Sequence, residues 1–138
     1  MASFVKYYCF VEDIGEEVHD LENDTLKIAL TNTAPTVATD DERADITEIA
    51  AGNGYTLGGE TVGSTTWTQA TGTATLAGDD VTFTAAGGAI AQFRYAVLYN
   101  DSAANDELIA YWDYGSAVDL ANGESFKVDL GASIVTLA

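Results

Sequence analysis

A nucleophilic mechanism needs a base, and this chain offers one histidine, His19, and one cysteine, Cys9. A Cys–His pair works only when thiol and imidazole face each other within hydrogen-bond reach. On a continuous helix the two would lie roughly 80° apart around the axis and about 15 Å apart along it, which forbids the pair. His19, flanked by Asp20 and near Glu16, reads as a solvated surface residue. A lone cysteine also excludes an intrachain disulfide and any CxxC metal site.

Carboxylates are the abundant functional group, with 22 Asp and Glu against 5 Lys and Arg. At that density a pair of acids carries little information. Glycoside hydrolysis needs two acids across a sugar cleft, usually beside aromatic platforms, and Trp67, Tyr111, Trp112 and Tyr114 are the candidates. Aromatic side chains on strands fill cores and interfaces more often. Three oxygen-rich loops, Asp40-Asp41-Glu42, Asp79-Asp80 and Asn105-Asp106-Glu107, have the ligand chemistry that calcium accepts. None has EF-hand spacing or a repeated Gly-Asp pattern, and turn formation explains the acids equally well. Gly52-Asn53-Gly54 precedes Tyr55 and Thr56 rather than a Gly-Lys-Ser/Thr, so it reads as a flexible loop and not a phosphate cradle. The residues therefore point to a protein that is not an enzyme, with no catalytic, cofactor-binding or metal-binding residues and no cofactor.

The formal charge of −17 repels nucleic-acid phosphate and anionic lipid headgroups. Neither nucleic acid nor membrane is expected as a partner. The 138 residues fit one domain, and a hydrophobic fraction of 47% is enough for a packed core. Residues 1–18 lack a basic stretch followed by a continuous apolar run, so no signal peptide is expected, nor is a membrane span. Folding in a reducing cytoplasm follows.

An N-terminal amphipathic helix is predicted over about residues 4–21. Tyr7, Phe10, Val11, Ile14, Val18 and Leu21 share an arc about 100° wide, and Glu12, Asp13, Glu16, His19 and Asp20 oppose them. Ser3 serves as N-cap, and Asn23-Asp24 as the stop. Gly15 weakens that helix by about 1 kcal/mol. Residues 25–31 alternate and favour a strand, which Pro35 keeps from continuing. Residues 32–60 read as a surface loop or extended arm, with a short helical turn near 44–50.

The β core spans 61–138. Strands are expected at 61–70, 73–76, 81–85, 90–100, 108–114, 118–120, 125–130 and 134–137. In the strongest pair, Phe93, Tyr95, Val97 and Tyr99 share one face, with Ala96 and Leu98 on the other. Leu108, Ala110, Trp112 and Tyr114 alternate with Ile109 and Tyr111. Apolar residues on both faces mean that both sides are covered. Loop 101–106 joins this pair as an antiparallel hairpin, and Asn122-Gly123 has hairpin-turn composition. The fold class is mainly β (α+β): an antiparallel β-sandwich or small barrel with one packed helix.

Several stretches resemble small virion proteins of tailed bacteriophages. They are residues 25–35, residues 44–55, Phe93-Arg94-Tyr95-Ala96-Val97-Leu98-Tyr99-Asn100-Asp101, residues 108–116, and the ending Gly123-Glu124-Ser125-Phe126-Lys127-Val128. The resemblance runs through nearly the whole chain. It implies a structural component, a decoration or cement protein made in the host cytoplasm and bound to the capsid exterior of the virion. Its partners would be the major capsid protein and copies of itself, as a homo-oligomer. Exposed strand edges and the 32–60 arm would then make the contacts with neighbours, and deleting residues 36–60 would abolish shell binding. A tail or tail-fibre component displaying Tyr111, Trp112 or Tyr114 is the alternative, or a calcium- or glycan-binding β-domain.

Overall fold

The computed structural model describes residues 2–138. The chain is mainly β, with antiparallel sheets and one short helix, and no barrel closes. Strands β1 (Ser3–Lys6), β2 (Leu26–Thr31), β3 (Glu60–Thr61), β7 (Ile90–Asn100) and β8 (Leu108–Leu120) form a sheet in the order β1-β8-β7-β2-β3. β4 (Thr66–Ala70), β5 (Thr73–Ala77) and β10 (Val135–Leu137) form a second sheet, ordered β10-β5-β4. β6 (Val81–Thr84) pairs with β9 (Ser125–Val128) as a two-stranded ribbon. The hairpin β7–β8 around loop 101–106 forms as its composition requires.

One apolar cluster joins these sheets in a sandwich-like arrangement. Leu26, Ile28 and Leu30 of β2, with Ala96 and Leu98 of β7, meet Leu76 of β5, Phe83 of β6 and Val128 of β9. The opposite face of the large sheet carries a smaller cluster of Tyr7, Ala29, Val97, Tyr99 and Leu108, with Val37 and Ile46 packed on it. Both faces of the central strands are thus covered, but by different kinds of chain.

Strict alternation fails at two points on β7 and β8. Register shifts flank Phe93 and separate Leu98 from Tyr99. Phe93 consequently joins the inner cluster and packs edge-on to Phe126 at 5.1 Å, away from the face of Val97 and Tyr99. Leu108 likewise goes to the outer cluster, while Ala110 and Trp112 stay inside. A bulge adds one residue to one strand and so reverses the facing of everything beyond it.

The helix is much shorter than its apolar period predicts. α1 covers only Tyr8–Asp13, and Ser3 is a strand residue rather than its N-cap. Residues 3–6 pair with β8 instead, Phe4 opposite Trp112 and Val5 opposite Tyr111. The free edge of β8 offers these residues a ladder that an isolated helical turn cannot match. After Asp13 the chain enters turns, with Glu17 at φ 63°, a left-handed conformation incompatible with a continuing helix. Val11, on the expected buried stripe, is 64% exposed.

Residues 32–60 contain a 3-10 turn at Arg43–Asp45 and reach β3 at their end, but they are not an arm. Their backbone is tied to the sheet: Tyr8 N–H donates to Val37 O, Leu108 N–H to Asp41 O, Arg43 N–H to Asp106 O and Ile49 N–H to Leu30 O, at 2.9 to 3.2 Å. This segment is the lid over the outer cluster. The structural core therefore also includes β1, β2 and this segment, and does not begin at residue 61. The Asn122-Gly123 turn forms with Glu124 N–H bonded to Ala121 O, yet it does not close a hairpin. Only Gly123 has positive φ there, whereas the hairpin type expected of Asn-Gly needs it at both positions. The turn carries the chain from the large sheet to the ribbon.

Candidate functional site

His19 is buried, at 8% exposure, not solvated. Its Nδ1 lies 3.0 Å from Asn100 Nδ2, which also donates to Asp24 at 2.7 Å. Asn100 Oδ1 accepts the backbone N–H groups of Ser102 and Ala103, so the amide is oriented and its nitrogen must face the imidazole. This network assigns His19 Nδ1 as acceptor and Nε2 as the protonated nitrogen. Nε2 has no partner. Burial holds the imidazole below its usual pKa, against the upward pull of Glu107 and Asp24. The histidine is locked as a neutral ring beside Phe10, 5.5 Å away.

Cys9 faces elsewhere. Its thiol contacts the carbonyls of Leu108 at 3.6 Å and Asp41 at 3.7 Å. Burial, then the charges of Asp13 and Asp41, push its pKa up to about 12, so the thiolate needed for nucleophilic chemistry is suppressed. His19 and Cys9 line different depressions, which separates them although no continuous helix joins them.

The acidic loops at 40–42 and 105–107 do come together, across a bridge between Glu42 and Glu107. With Glu12 and Asp13 they line an open depression of about 440 Å³. Asp13 is held above the ordinary carboxylate range by burial and then by Glu107, Glu16, Asp41 and Glu12. Acids of these loops are already engaged: Asp40 accepts from Thr36 N–H and Glu107 from Asn105 N–H within turns, and Asp106 pairs with Arg43. Among the described residues no group of three or more His, Cys, Asp or Glu forms a metal-ligand arrangement. Asp80 caps Leu130 N–H at 2.8 Å and pairs with Lys127 at 3.3 Å.

The four aromatics make no common platform. Trp112 faces inward with 6% exposure, stacked beside Phe4 at 5.4 Å. Tyr111 faces the opposite layer, edge-on to Tyr7 at 5.6 Å, and Tyr114 packs against Phe126 at 4.9 Å. Trp67 is half-buried against the inner cluster. Gly52-Asn53-Gly54 is docked rather than flexible. Asn53 donates to Ala89 O at 2.9 Å, and a Cβ on Gly54 would collide with the Thr84 carbonyl.

The most connected side chain of the lid went unmarked in the sequence. Glu48 accepts the Tyr55 hydroxyl, the Gly58 N–H and, at 3.2 Å, the Arg43 guanidinium. Tyr55 in turn accepts Leu30 N–H at 3.0 Å, and Tyr99 donates to Gly58 O at 2.6 Å. Arg43 also reaches Asp106 at 3.5 Å and lies over the Tyr99 ring. This carboxylate ties three stretches of irregular chain to β2 and β7. The available signal was Glu48 as the one charged residue between Ile46 and Ile49.

No protein-family model matches the chain, and neither curated protein sequences nor solved structures yield a match. What fold and site define is an acidic antiparallel β-domain of sandwich-like form, one face of its main sheet closed by a hydrogen-bonded lid.

Proposed function

We propose that the chain is a non-catalytic structural protein that decorates and stabilises a bacteriophage capsid by binding the shell of major capsid protein. The observation that carries the non-catalytic part is the commitment of its reactive groups to holding the fold. His19 is fixed by Asn100, Glu48 by three donors, and Cys9 is held as a thiol. A rigid body with a strongly acidic surface suits a component whose work is contact, repeated over a symmetric lattice where many weak contacts add up. The capsid as partner rests on the sequence resemblance to small virion proteins.

Residues 36–60 cover the outer cluster and hold it to the sheet, so their removal would unfold that face rather than test binding. The test is made on particles purified from cells carrying the genome that encodes the chain. Antibody labelling in the electron microscope is expected over the heads, in many copies. Label confined to tails transfers the chain to the tail, and its absence from purified particles overturns the virion reading.

A further inference from the structure

Three of the five large apolar side chains left exposed border two neighbouring grooves: Val11 at 64% and Leu137 at 53% line one, and Phe4 at 36% lines the other. They follow one open seam, where the large sheet ends in β1 and the smaller sheet ends in β10. One groove of the seam is floored by Phe10, Val11, Ile14, Trp67 and Leu137, with Lys6 at its side. A second runs between Ala2, Phe4 and Trp112 on one side and Leu130 on the other. Each terminal strand has a neighbour on one side only, which leaves backbone donors and acceptors on the other side able to pair with an added strand.

Charge selects the occupant. Ile14 and Trp67 also line the adjoining depression, whose polar walls include Glu17 and Asp20. Residues 12–24 carry seven carboxylates and no lysine or arginine. Lys6 in the first groove makes no ion pair among the described residues, whereas Lys127 in the second is paired with Asp80 and the other three basic residues are likewise paired with acids. A second copy carries the same net charge of −17 and would set its own Glu17 and Asp20 near these, so self-association here is opposed.

We infer that the seam between β1, α1 and β10 receives an extended, basic segment of a partner protein, whose alternating apolar side chains fill the groove while its lysines or arginines meet Glu17 and Asp20. This deepens the shell-binding reading and rests on it, because it names the contact surface and the chemistry of the shell segment that fits. The strand edge supplies affinity through main-chain pairing, and the groove and rim supply selectivity.

The test uses the full chain and a fluorescein-labelled decapeptide of alternating Val and Lys as probe, followed by anisotropy at low and moderate salt. Binding is expected to weaken by at least about tenfold in the double variant Val11→Ser/Leu137→Ser, two exposed positions that leave the fold intact. Leu57→Ser, at another exposed apolar site, should bind as the parent does. A probe N-methylated at alternate residues on both edges should lose binding, as should one with Glu in place of Lys. Equal affinity for the double variant, or for the N-methylated probe, overturns the inference. So does a concentration-dependent dimer in sedimentation that the double variant abolishes. Probe binding by a chain absent from particles sinks only the capsid reading; a chain found on heads whose seam ignores the probe sinks only this one.

Discussion

The two faces of the large sheet are closed by opposite means. On the inner face strands cover strands, and the contacts are almost wholly apolar, from Leu26 and Ile28 to Leu76, Phe83 and Val128. On the outer face an irregular segment covers the same strands, with few apolar anchors, Val37 and Ile46 among them. Paired strands satisfy their own backbone groups, so alternating apolar side chains are enough to hold a second layer. A lid without a ladder has to satisfy its backbone elsewhere: Glu48 accepts Gly58 N–H and the Leu30 carbonyl accepts Ile49 N–H, while the Tyr55 hydroxyl accepts the sheet's own Leu30 N–H. Gly59 shows how closely that lid approaches: a Cβ there would strike the Ile28 carbonyl.

The contrast makes graded predictions. Leu98→Ala, at a fully buried inner position, should lower global stability by about 2–5 kcal/mol in urea denaturation, the usual cost of lost burial plus a cavity. Glu48→Ala leaves two donors and Arg43 without their acceptor and should cost about 1–3 kcal/mol. Its effect should be local as well: amide exchange within residues 42–59 accelerates, while exchange in β7 follows only the global loss. If β7 exchange rose as much as lid exchange, the lid would not be a separately held layer.

The third and smallest effect concerns pH. His19 is buried neutral and its folded pKa lies below its unfolded value, so its contribution is present above the unfolded pKa, about 6.5. That contribution is lost as pH falls through the lower, folded pKa, when a proton on Nδ1 would turn an acceptor toward the Asn100 amide into a donor. Urea midpoints measured from pH 7 downward should fall less steeply for His19→Gln than for the parent, since both share the same carboxylates. Parallel profiles would show that His19 does not couple to folding in this range.

Much of the β framework was readable because alternation and turn composition are local properties. Strand 90–100, all but the last residue of 73–77 and the hairpin at 101–106 announce themselves by side-chain period and by Ser, Asn and Asp in the connecting loop. The N-terminus was misread for a physical reason. Residues 3–6 lie at the start of the helical period, and the vacant edge of β8 draws them into a strand while Tyr8–Asp13 stay helical. His19 looked solvated because its neighbours Asp20 and Glu16 are; the groups that bury it, Phe10 and Asn100, lie elsewhere in the chain. Glu48 shows in the sequence only as a charge between isoleucines, and its partners Arg43, Tyr55 and Gly58, though near in the chain, are gathered around one carboxylate only by the folded path of the lid.

The sequence by itself determined an acidic, mainly antiparallel β protein with most of its strands in place, since charge, period and turn residues act over a few positions. Tertiary structure alone decided which face each residue of β7 and β8 shows, that residues 32–60 form a lid, and that one seam keeps its apolar side chains in the open. Each of those depends on which distant strand supplies an edge, a bulge or a hydrogen-bond partner, and that information is spread across the folded chain rather than written in any one stretch of it.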